Sequence, residues 1–227
     1  MACITVLYED NHLLAVAKPA GVPTMGTPAE QVTLLRQAKE YIKQQYRKPG
    51  NVYLGVMSRL DAPVTGVVLF ARTSKAAARL TEQFRAREVE KLYWAIVAGA
   101  PRPTEGILVD WVAEDERHRR MHVVTADTEG ARDARLRFRT LRNLGNDSLL
   151  EIALETGRKH QIRLQWAKRG HPVIGDRKYG SGKRFPAGIA LHARRLVVRH
   201  PVRDVAVELV APLPEAWRRY GVTDSGL

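Results

Sequence analysis

The sequence predicts an α+β protein built on a mixed, largely antiparallel β-sheet with flanking helices. Several segments alternate apolar and polar residues, as half-buried strands do. A few other segments repeat apolar residues at helical intervals, and turn residues join neighbouring strands into hairpins. The chain has 227 residues, 44% of them hydrophobic, which is enough for one large core or two smaller lobes. We expect one domain over residues 1–227, with two lobes that meet near residues 99–106.

The first part of the chain predicts a short strand and two helices. Residues 13–16 form an apolar strand that should end at the turn Lys18-Pro19-Ala20-Gly21. Residues 32–46 and 74–87 carry apolar side chains at helical intervals. Ser74 is a suitable N-cap for the second of these helices.

The rest of the chain predicts more strands, joined by turns. Residues 91–96 alternate in the manner of a half-buried strand, which places Tyr93 on the face opposite Leu92 and Trp94. One helix should end at Gly170, because a helix C-terminus often needs a residue in the left-handed conformation. The other predicted elements are strands at residues 134–139, 149–154, 189–198 and 205–210, and helices at residues 160–169 and 214–220.

The chain is strongly basic, with a formal net charge of +13. Such a charge favours a polyanionic partner, although a basic surface without a partner has the same composition. Cys3 is the only cysteine, which excludes a disulfide framework and a thiolate zinc site. No apolar run has membrane-spanning length and no signal pattern opens the chain, so we expect a soluble, cytoplasmic protein.

One short segment combines an acidic residue with a turn. Asp61 stands in Ser58-Arg59-Leu60-Asp61-Ala62-Pro63-Val64-Thr65-Gly66, directly before the apolar run at residues 67–70. Pro63 restricts the residue before it to extended conformations, so a turn and not a helix should follow Asp61. A carboxylate on a short loop before a buried strand is a candidate catalytic group. An isolated loop carboxylate is more often part of a surface ion pair, here with Arg59.

A second segment is rich in basic residues. It runs through Thr156-Gly157-Arg158-Lys159-His160-Gln161-Ile162-Arg163 and continues to residues 170–180. If the helix begins near His160, Arg163 lies in its first turn, where the helix dipole opposes a cation by a few tenths to about 1 kcal/mol. A residue placed against a local rule suggests a functional role, whereas an ordinary solvated arginine is the alternative.

Both segments resemble motifs of the RluA-type pseudouridine synthases. The matching residues are Arg59, Leu60, Asp61 and Gly66 in the first motif, and Gly157, Arg158, His160–Arg163, Gly170–Pro172, Gly175-Asp176 and Tyr179-Gly180 in the second. Residues 8–21, 91–95 and 191–193 resemble further segments of the family, so the resemblance covers nearly the whole chain. Ser58 stands where the family usually has His, and Val64-Thr65 where it has Thr-Ser. These departures indicate a diverged subgroup with its own RNA target.

The resemblance implies an enzyme that isomerises uridine to pseudouridine in structured RNA, either ribosomal or transfer RNA, without a cofactor. The fold would be the pseudouridine synthase catalytic domain. The N-terminal RNA-binding module of many relatives should be missing, because the opening family segment already begins at Tyr8. We expect a monomer that binds RNA and neither a metal nor a membrane.

The resemblance also implies roles for single residues. Asp61 would be the essential catalytic residue, which either attacks C1′ of the ribose or acts as a base on the sugar, and Arg163 would pair with it. Tyr93 would stack on the target base and take part in a late proton transfer at C5, although in isolation a tyrosine there is better explained by cross-strand packing. The remaining predicted RNA-binding residues are Arg59, Arg158, Lys159 and His160.

Two other functions stay open on the sequence. One is a catalytically silent RNA-binding protein with the same architecture. The other is a hydrolase, which would normally need a second carboxylate or a cluster of metal ligands, and neither stands beside Asp61. His118 and His122 have the spacing of a helical metal pair but lack a third ligand, and the arginines around them favour a basic hairpin that binds the RNA backbone.

Overall fold

The structure is a computed structural model that describes residues 4–26, 32–115 and 120–224. The helices are α1 (Leu34–Gln45), α2 (Ser74–Arg85) and α3 (Gln161–Lys168), with short 3-10 helices at Arg177–Tyr179 and Glu215–Tyr220. The strands are β1 (Thr5–Glu9), β2 (Leu13–Lys18), β3 (Gly55–Val56), β4 (Thr65–Ala71), β5 (Glu90–Ala98), β6 (Glu105–Asp115), β7 (Arg120–Val124), β8 (Arg132–Asn143), β9 (Asp147–Leu154), β10 (Leu191–Arg199) and β11 (Ala206–Val210).

The chain divides into two compact units, and each contains antiparallel strands, which agrees with the predicted α+β class. The first unit consists of residues 1–90 and 193–214, and the second of residues 91–192 and 215–227. The strand order in the first unit is β1-β2-β4-β10, with β3 beside β4 and β11 beside β10. In the second unit it is β5-β9-β8-β6-β7. The chain enters the second unit at Lys91, so the predicted boundary segment 99–106 lies inside that unit.

The hydrophobic core of the first unit contains residues from β4 and α2. Strand β4 is buried along its whole length, and Leu80 of α2 belongs to the same core. Thr73 caps α2, because its Oγ1 accepts a hydrogen bond from the backbone N–H of Ala76 at 3.1 Å. The predicted N-cap, Ser74, is wrong by one residue. Thr73 has the extended backbone that an N-cap needs, whereas Ser74 is already helical.

Strand β5 is more buried than its sequence pattern predicts. Residues 94–97 are buried on both faces of the strand. The half-buried pattern is therefore wrong beyond Tyr93, because a strand covered on both faces carries apolar residues at successive positions. In β8, by contrast, buried Ala134, Leu136 and Phe138 alternate with exposed arginines, as predicted.

Helix α3 confirms a predicted helix and its C-terminal end. Gly170 follows the last turn with φ of 78°, the left-handed conformation that the sequence predicted there. The first six residues of the helix are all buried, and Arg163 is one of them. Trp166 of this helix packs edge-on against Phe138 of β8, with ring centroids 4.8 Å apart. Gln161, Arg163 and Gln165 of α3 therefore lie inside the second unit and not on a solvated face.

Candidate active site

Asp61 lies in a turn immediately before β4, as the sequence predicted. The backbone N–H of Val64 donates to the carbonyl oxygen of Asp61 at 3.0 Å and closes the turn. The preceding residue, Leu60, is buried and is held on both sides by Thr24. The Thr24 hydroxyl donates to the Leu60 carbonyl at 2.9 Å and accepts from the Leu60 N–H at 3.1 Å. The half-buried Asp61 side chain thus follows a backbone that is fixed before and after it.

Lys18 ties the end of β2 to the same turn. Its ammonium group donates to the carbonyl oxygens of Pro19 at 2.8 Å, Val22 at 2.7 Å and Ala62 at 3.0 Å. The side chain is almost completely buried, and this burial lowers the pKa of Lys18 from 10.5 to about 8, while the charge of Asp61 raises it. A buried cation therefore acts electrostatically on the candidate catalytic carboxylate. The sequence did not predict this role, although Lys18 is the last residue of an otherwise apolar strand.

The residues that depart from the family motif have packing roles in the first unit. The Ser58 hydroxyl accepts a hydrogen bond from the backbone N–H of Leu69 at 3.0 Å. Val64 and Thr65 are both buried. Gly66, which matches the motif, has φ of 121°, and a Cβ at this position would lie 2.3 Å from the carbonyl oxygen of Ala193. The departures therefore leave the backbone around Asp61 supported.

In the second unit, a left-handed residue opens helix α3. His160 has φ of 55°, a conformation that costs a residue with a side chain of the order of 1–3 kcal/mol. Its Nδ1 lies 2.7 Å from the hydroxyl of Tyr179, which is buried. The same hydroxyl accepts a hydrogen bond from the backbone N–H of Met121 at 3.3 Å. Burial raises the pKa of Tyr179, so its hydroxyl stays protonated at neutral pH.

Arg163 is buried in the first turn of α3, which rules out the ordinary solvated arginine. Its Nε and Nη2 donate to the two carboxylate oxygens of Asp176 at 2.6 and 2.9 Å. The guanidinium carbon lies 5.1 Å from the centre of the Tyr179 ring. A bidentate pair of this kind fixes both position and orientation, and it offsets the unfavourable helix dipole. The sequence did not predict Asp176 as the partner of Arg163, although the Gly175-Asp176 motif marked the position.

The predicted phosphate-binding residues Arg158 and Lys159 form ion pairs within the second unit. Arg158 donates from Nε to the carbonyl oxygen of Asp133 and from Nη2 to its carboxylate, both at 2.8 Å. Lys159 pairs with Glu114. All four side chains are partly exposed, and ion pairs of this kind contribute only about 0–1 kcal/mol. Their cations can exchange a carboxylate for a phosphate at small cost.

Tyr93 lies on the face of the second unit's sheet that carries α3. It is half-buried and stands opposite Ile152 of β9, which in turn stands opposite Phe138 of β8. Directly opposed residues share one face of a sheet, and on this face Phe138 contacts Trp166. Tyr93 and the helix that bears Arg163 are therefore on the same side. Arg59, by contrast, belongs to the first unit, where its side chain is exposed beside Leu60.

His118 and His122 are the two histidines with the spacing of a helical metal pair. His118 lies outside the described residues, and His122 is on β7, with Nε2 3.8 Å from Asp115. Across residues 4–26, 32–115 and 120–224, no three His, Cys, Asp or Glu side chains form a group that could hold a metal ion. Within the same ranges, no helix has the length and apolar character needed to cross a membrane.

Comparison with known proteins gives matches along most of the chain. A family model described as RNA pseudouridylate synthase matches residues 12–168, which include Asp61, Tyr93 and Arg163. An uncharacterized RNA pseudouridine synthase of Synechocystis is 34% identical over 222 residues, covering 95% of this chain and 67% of that protein. The ribosomal large subunit pseudouridine synthase D of Xanthomonas campestris is 35% identical over 236 residues, covering 95% of this chain and 68% of that protein. The chain thus spans about two thirds of the length of these relatives.

Comparison with solved structures agrees with these sequence matches. The structure of human RNA pseudouridylate synthase domain containing 4 matches with a TM-score of 0.79 and 26% identity, covering 96% of this chain and 93% of that one. Pseudouridine synthases are isomerases that act on RNA. With a family match over more than half of its residues and relatives at 34% and 35% identity, the chain belongs to the RNA pseudouridylate synthase family.

Proposed function

We propose that the chain isomerises specific uridines of structured RNA, with Asp61 as the essential catalytic residue. The observation that carries this proposal is the doubly anchored turn that presents the Asp61 carboxylate near the buried charge of Lys18. RNA of the large ribosomal subunit is the first substrate to test, because Xanthomonas and Yersinia relatives are named for that subunit. Transfer RNA is the second. We place the enzyme in the cytoplasm, as a monomer.

The reaction explains why a fixed carboxylate is needed. Isomerisation breaks the bond between N1 of uracil and C1′ of ribose, turns the base and joins its C5 to C1′. Both attack on C1′ and proton removal from the sugar require an ionised carboxylate. The buried ammonium group of Lys18 interacts electrostatically with Asp61. The turn geometry limits the motion of the carboxylate, so less entropy is lost when the substrate binds.

Arg163 and Tyr93 complete the proposed set of catalytic residues. As the family resemblance implies, Arg163 stabilises the charge of Asp61 during the reaction. Its burial and its pairing with Asp176 keep the guanidinium in one orientation, as such a role requires. Tyr93 stacks on the target base, a contact worth about 1–3 kcal/mol. The target uridine must leave its stack to reach such a ring, which favours loops and distorted helices as substrates.

The decisive experiment uses RNA transcripts labelled with tritium at C5 of uridine. Isomerisation releases this tritium to water, hydrolysis would release uracil or cut the strand, and binding alone would indicate a silent RNA-binding protein. Asp61→Asn should abolish tritium release and leave RNA affinity within about twofold, since it removes one charge among 37 lysines and arginines and 24 acids. Asp204→Asn, at an exposed ion pair of the first unit, is the matched control and should keep wild-type turnover. Wild-type turnover by Asp61→Asn would remove Asp61 from the mechanism.

Two further variants separate catalysis from binding. Arg163→Leu should lower kcat much more than it raises KM, because a transition-state contact is lost. Tyr93→Ala should weaken binding of the flipped base, whereas Tyr93→Phe should keep the stacking surface. An effect of Arg163→Leu on KM alone would instead assign this arginine to phosphate binding.

A further inference from the structure

A cavity in the second unit is lined by residues to which the proposed mechanism gives no role. Its volume is about 420 Å³, and its lining residues are Gly175, Arg177, Arg184, Phe185 and Gly188. Arg177 directly follows Asp176, the residue that holds Arg163. The cavity therefore lies beside the groups that orient a proposed catalytic arginine.

The two arginines of this cavity have no anionic partner in the part of the chain that the structure describes. Both side chains are exposed, and the ion pairs of the second unit involve other cations, such as Arg158 and Lys183. Two cations on the wall of one cavity repel each other, and an anion bound between them would relieve that repulsion. The arrangement favours a ligand with a negative charge.

The backbone that carries both arginines is held in place by several contacts. The Ser181 hydroxyl accepts a hydrogen bond from the backbone N–H of Gly175 at 3.1 Å, and the Ser181 N–H donates to the carbonyl oxygen of Asp176 at 3.0 Å. The Phe185 ring packs against Trp217 and Tyr220, with centroids 6.0 and 5.7 Å apart. A cation on a fixed backbone loses less entropy on binding than one on a mobile loop.

Gly175 allows two segments of the cavity wall to approach each other closely. Its φ is 89°, and a Cβ there would lie 2.7 Å from the Cβ of Phe185 and 3.0 Å from the carbonyl oxygen of Gly188. No other residue type fits both this conformation and this contact. The close approach brings the Arg177 turn and the Arg184 loop together around one space.

A cavity in the first unit provides a contrast. It is lined in part by Asp10, His200 and Arg203. There the arginine donates to Asp10 at 2.5 Å, and the imidazole of His200 lies 2.8 Å from the same carboxylate. Its cationic group is already neutralised, so this cavity gives no reason to expect an anion.

We propose that Arg177 and Arg184 together bind one phosphodiester group of the substrate RNA, in the open cavity that Gly175 and Gly188 also line. The inference rests on the proposed function for the identity of the ligand. A guanidinium group matches the geometry of phosphate oxygens, and the net charge of +13 favours a polyanion over an uncharged ligand. The phosphodiester would position the RNA next to the turn that contains Asp176.

The test measures RNA affinity as a function of salt for Arg177→Ala, Arg184→Ala and the double variant. If both arginines hold one phosphate, each single variant should weaken binding about tenfold at low salt, and the double variant should add little. The slope of log affinity against log salt should become shallower by about 0.7–0.9, the value for one phosphate contact. Arg85→Ala, which removes an exposed cation of the first unit, is the control and should change neither affinity nor slope appreciably.

Several outcomes would overturn the proposal. Wild-type affinity and slope in the double variant would show that the two arginines are merely solvated, and strictly additive losses would place them on separate phosphates. Unchanged RNA affinity of the double variant, together with a loss of its binding to inorganic phosphate, would assign the cavity to free phosphate. The tritium assay on wild-type protein keeps the two proposals apart. If the wild-type protein releases tritium and the double variant binds RNA as the wild type does, only the subsite is refuted. If the wild-type protein releases no tritium and the double variant binds RNA more weakly, only the proposed function is refuted.

Discussion

Replacing Asp176 with Asn removes the anion that holds the buried guanidinium of Arg163 while the side chain keeps its size. The two side chains are only 2% and 6% exposed, and two hydrogen bonds of 2.6 and 2.9 Å join them. Removing one partner of a buried ion pair costs about 3–5 kcal/mol, because water cannot replace the lost carboxylate. The Tyr179 ring, 5.1 Å from the guanidinium carbon, retains part of the stabilisation. We therefore expect the free energy of unfolding to fall by about 3 kcal/mol.

The tryptophan residues make this effect measurable in the second unit alone. All four of them, Trp94, Trp111, Trp166 and Trp217, belong to that unit. Urea denaturation followed by tryptophan fluorescence should show a midpoint lower by about 1–2 M for Asp176→Asn, given an ordinary dependence of about 2 kcal/mol per M.

A matched control exists in the same unit. Glu155→Gln breaks the ion pair with Arg137, which has a similar length of 2.7 Å but an arginine that is 69% exposed. This variant should lose less than about 1 kcal/mol, because water screens the pair. Equal effects of the two substitutions, or a loss below 1 kcal/mol for Asp176→Asn, would refute the view that burial makes the Arg163–Asp176 pair structurally important.

Two further predictions concern the first unit. Since the pKa of Lys18 is lowered to about 8 in the folded protein from an ordinary 10.5, the unfolded state binds the proton more tightly between these pH values. The free energy of unfolding of the wild type, relative to that of Lys18→Met, should therefore rise by about 2 kcal/mol from pH 8 to pH 10. Urea denaturation followed by circular dichroism measures it, and a difference that stays constant with pH would contradict the lowered pKa of Lys18. Gly66→Ala should cost at least about 3 kcal/mol in the same assay, because the new Cβ would meet the backbone of Ala193. Gly145→Ala, where φ is 69° but nothing lies within 4 Å, should cost only about 1 kcal/mol, and equal losses would show that backbone conformation and not the contact decides.

Sequence patterns predicted the elements whose determinants are local. Helix α3 and its end at Gly170, the turn after Asp61 and the alternation of β8 all follow from a few neighbouring residues. The N-cap of α2 was misplaced because Thr73 and Ser74 are equally suitable by composition. The choice between them is made by the backbone conformation, which no single residue determines.

The contacts that define the candidate site are not local, and several of them were not predicted from the sequence. Asp176 lies thirteen residues from Arg163 in the chain, and Lys18 lies forty-four residues from the carbonyl group of Ala62. Helix and strand propensities and the spacing of apolar residues carry no information about contacts between residues so far apart in the chain. Motifs marked the position of Asp176, yet only the fold shows that its carboxylate receives the guanidinium of Arg163.

Helix α3 departs from local rules at several positions, and the departures point to function. A helix that only filled a core would carry apolar residues on its buried side, yet Gln161, Arg163 and Gln165 are all buried here. His160 adopts a left-handed conformation that glycine would adopt at lower cost, and it keeps an imidazole 2.7 Å from the Tyr179 hydroxyl. Each of these features lowers stability compared with an apolar helix opened by glycine. These features are concentrated at the start of one helix, as expected where selection maintains the position of a guanidinium group. The same fold would be more stable without them.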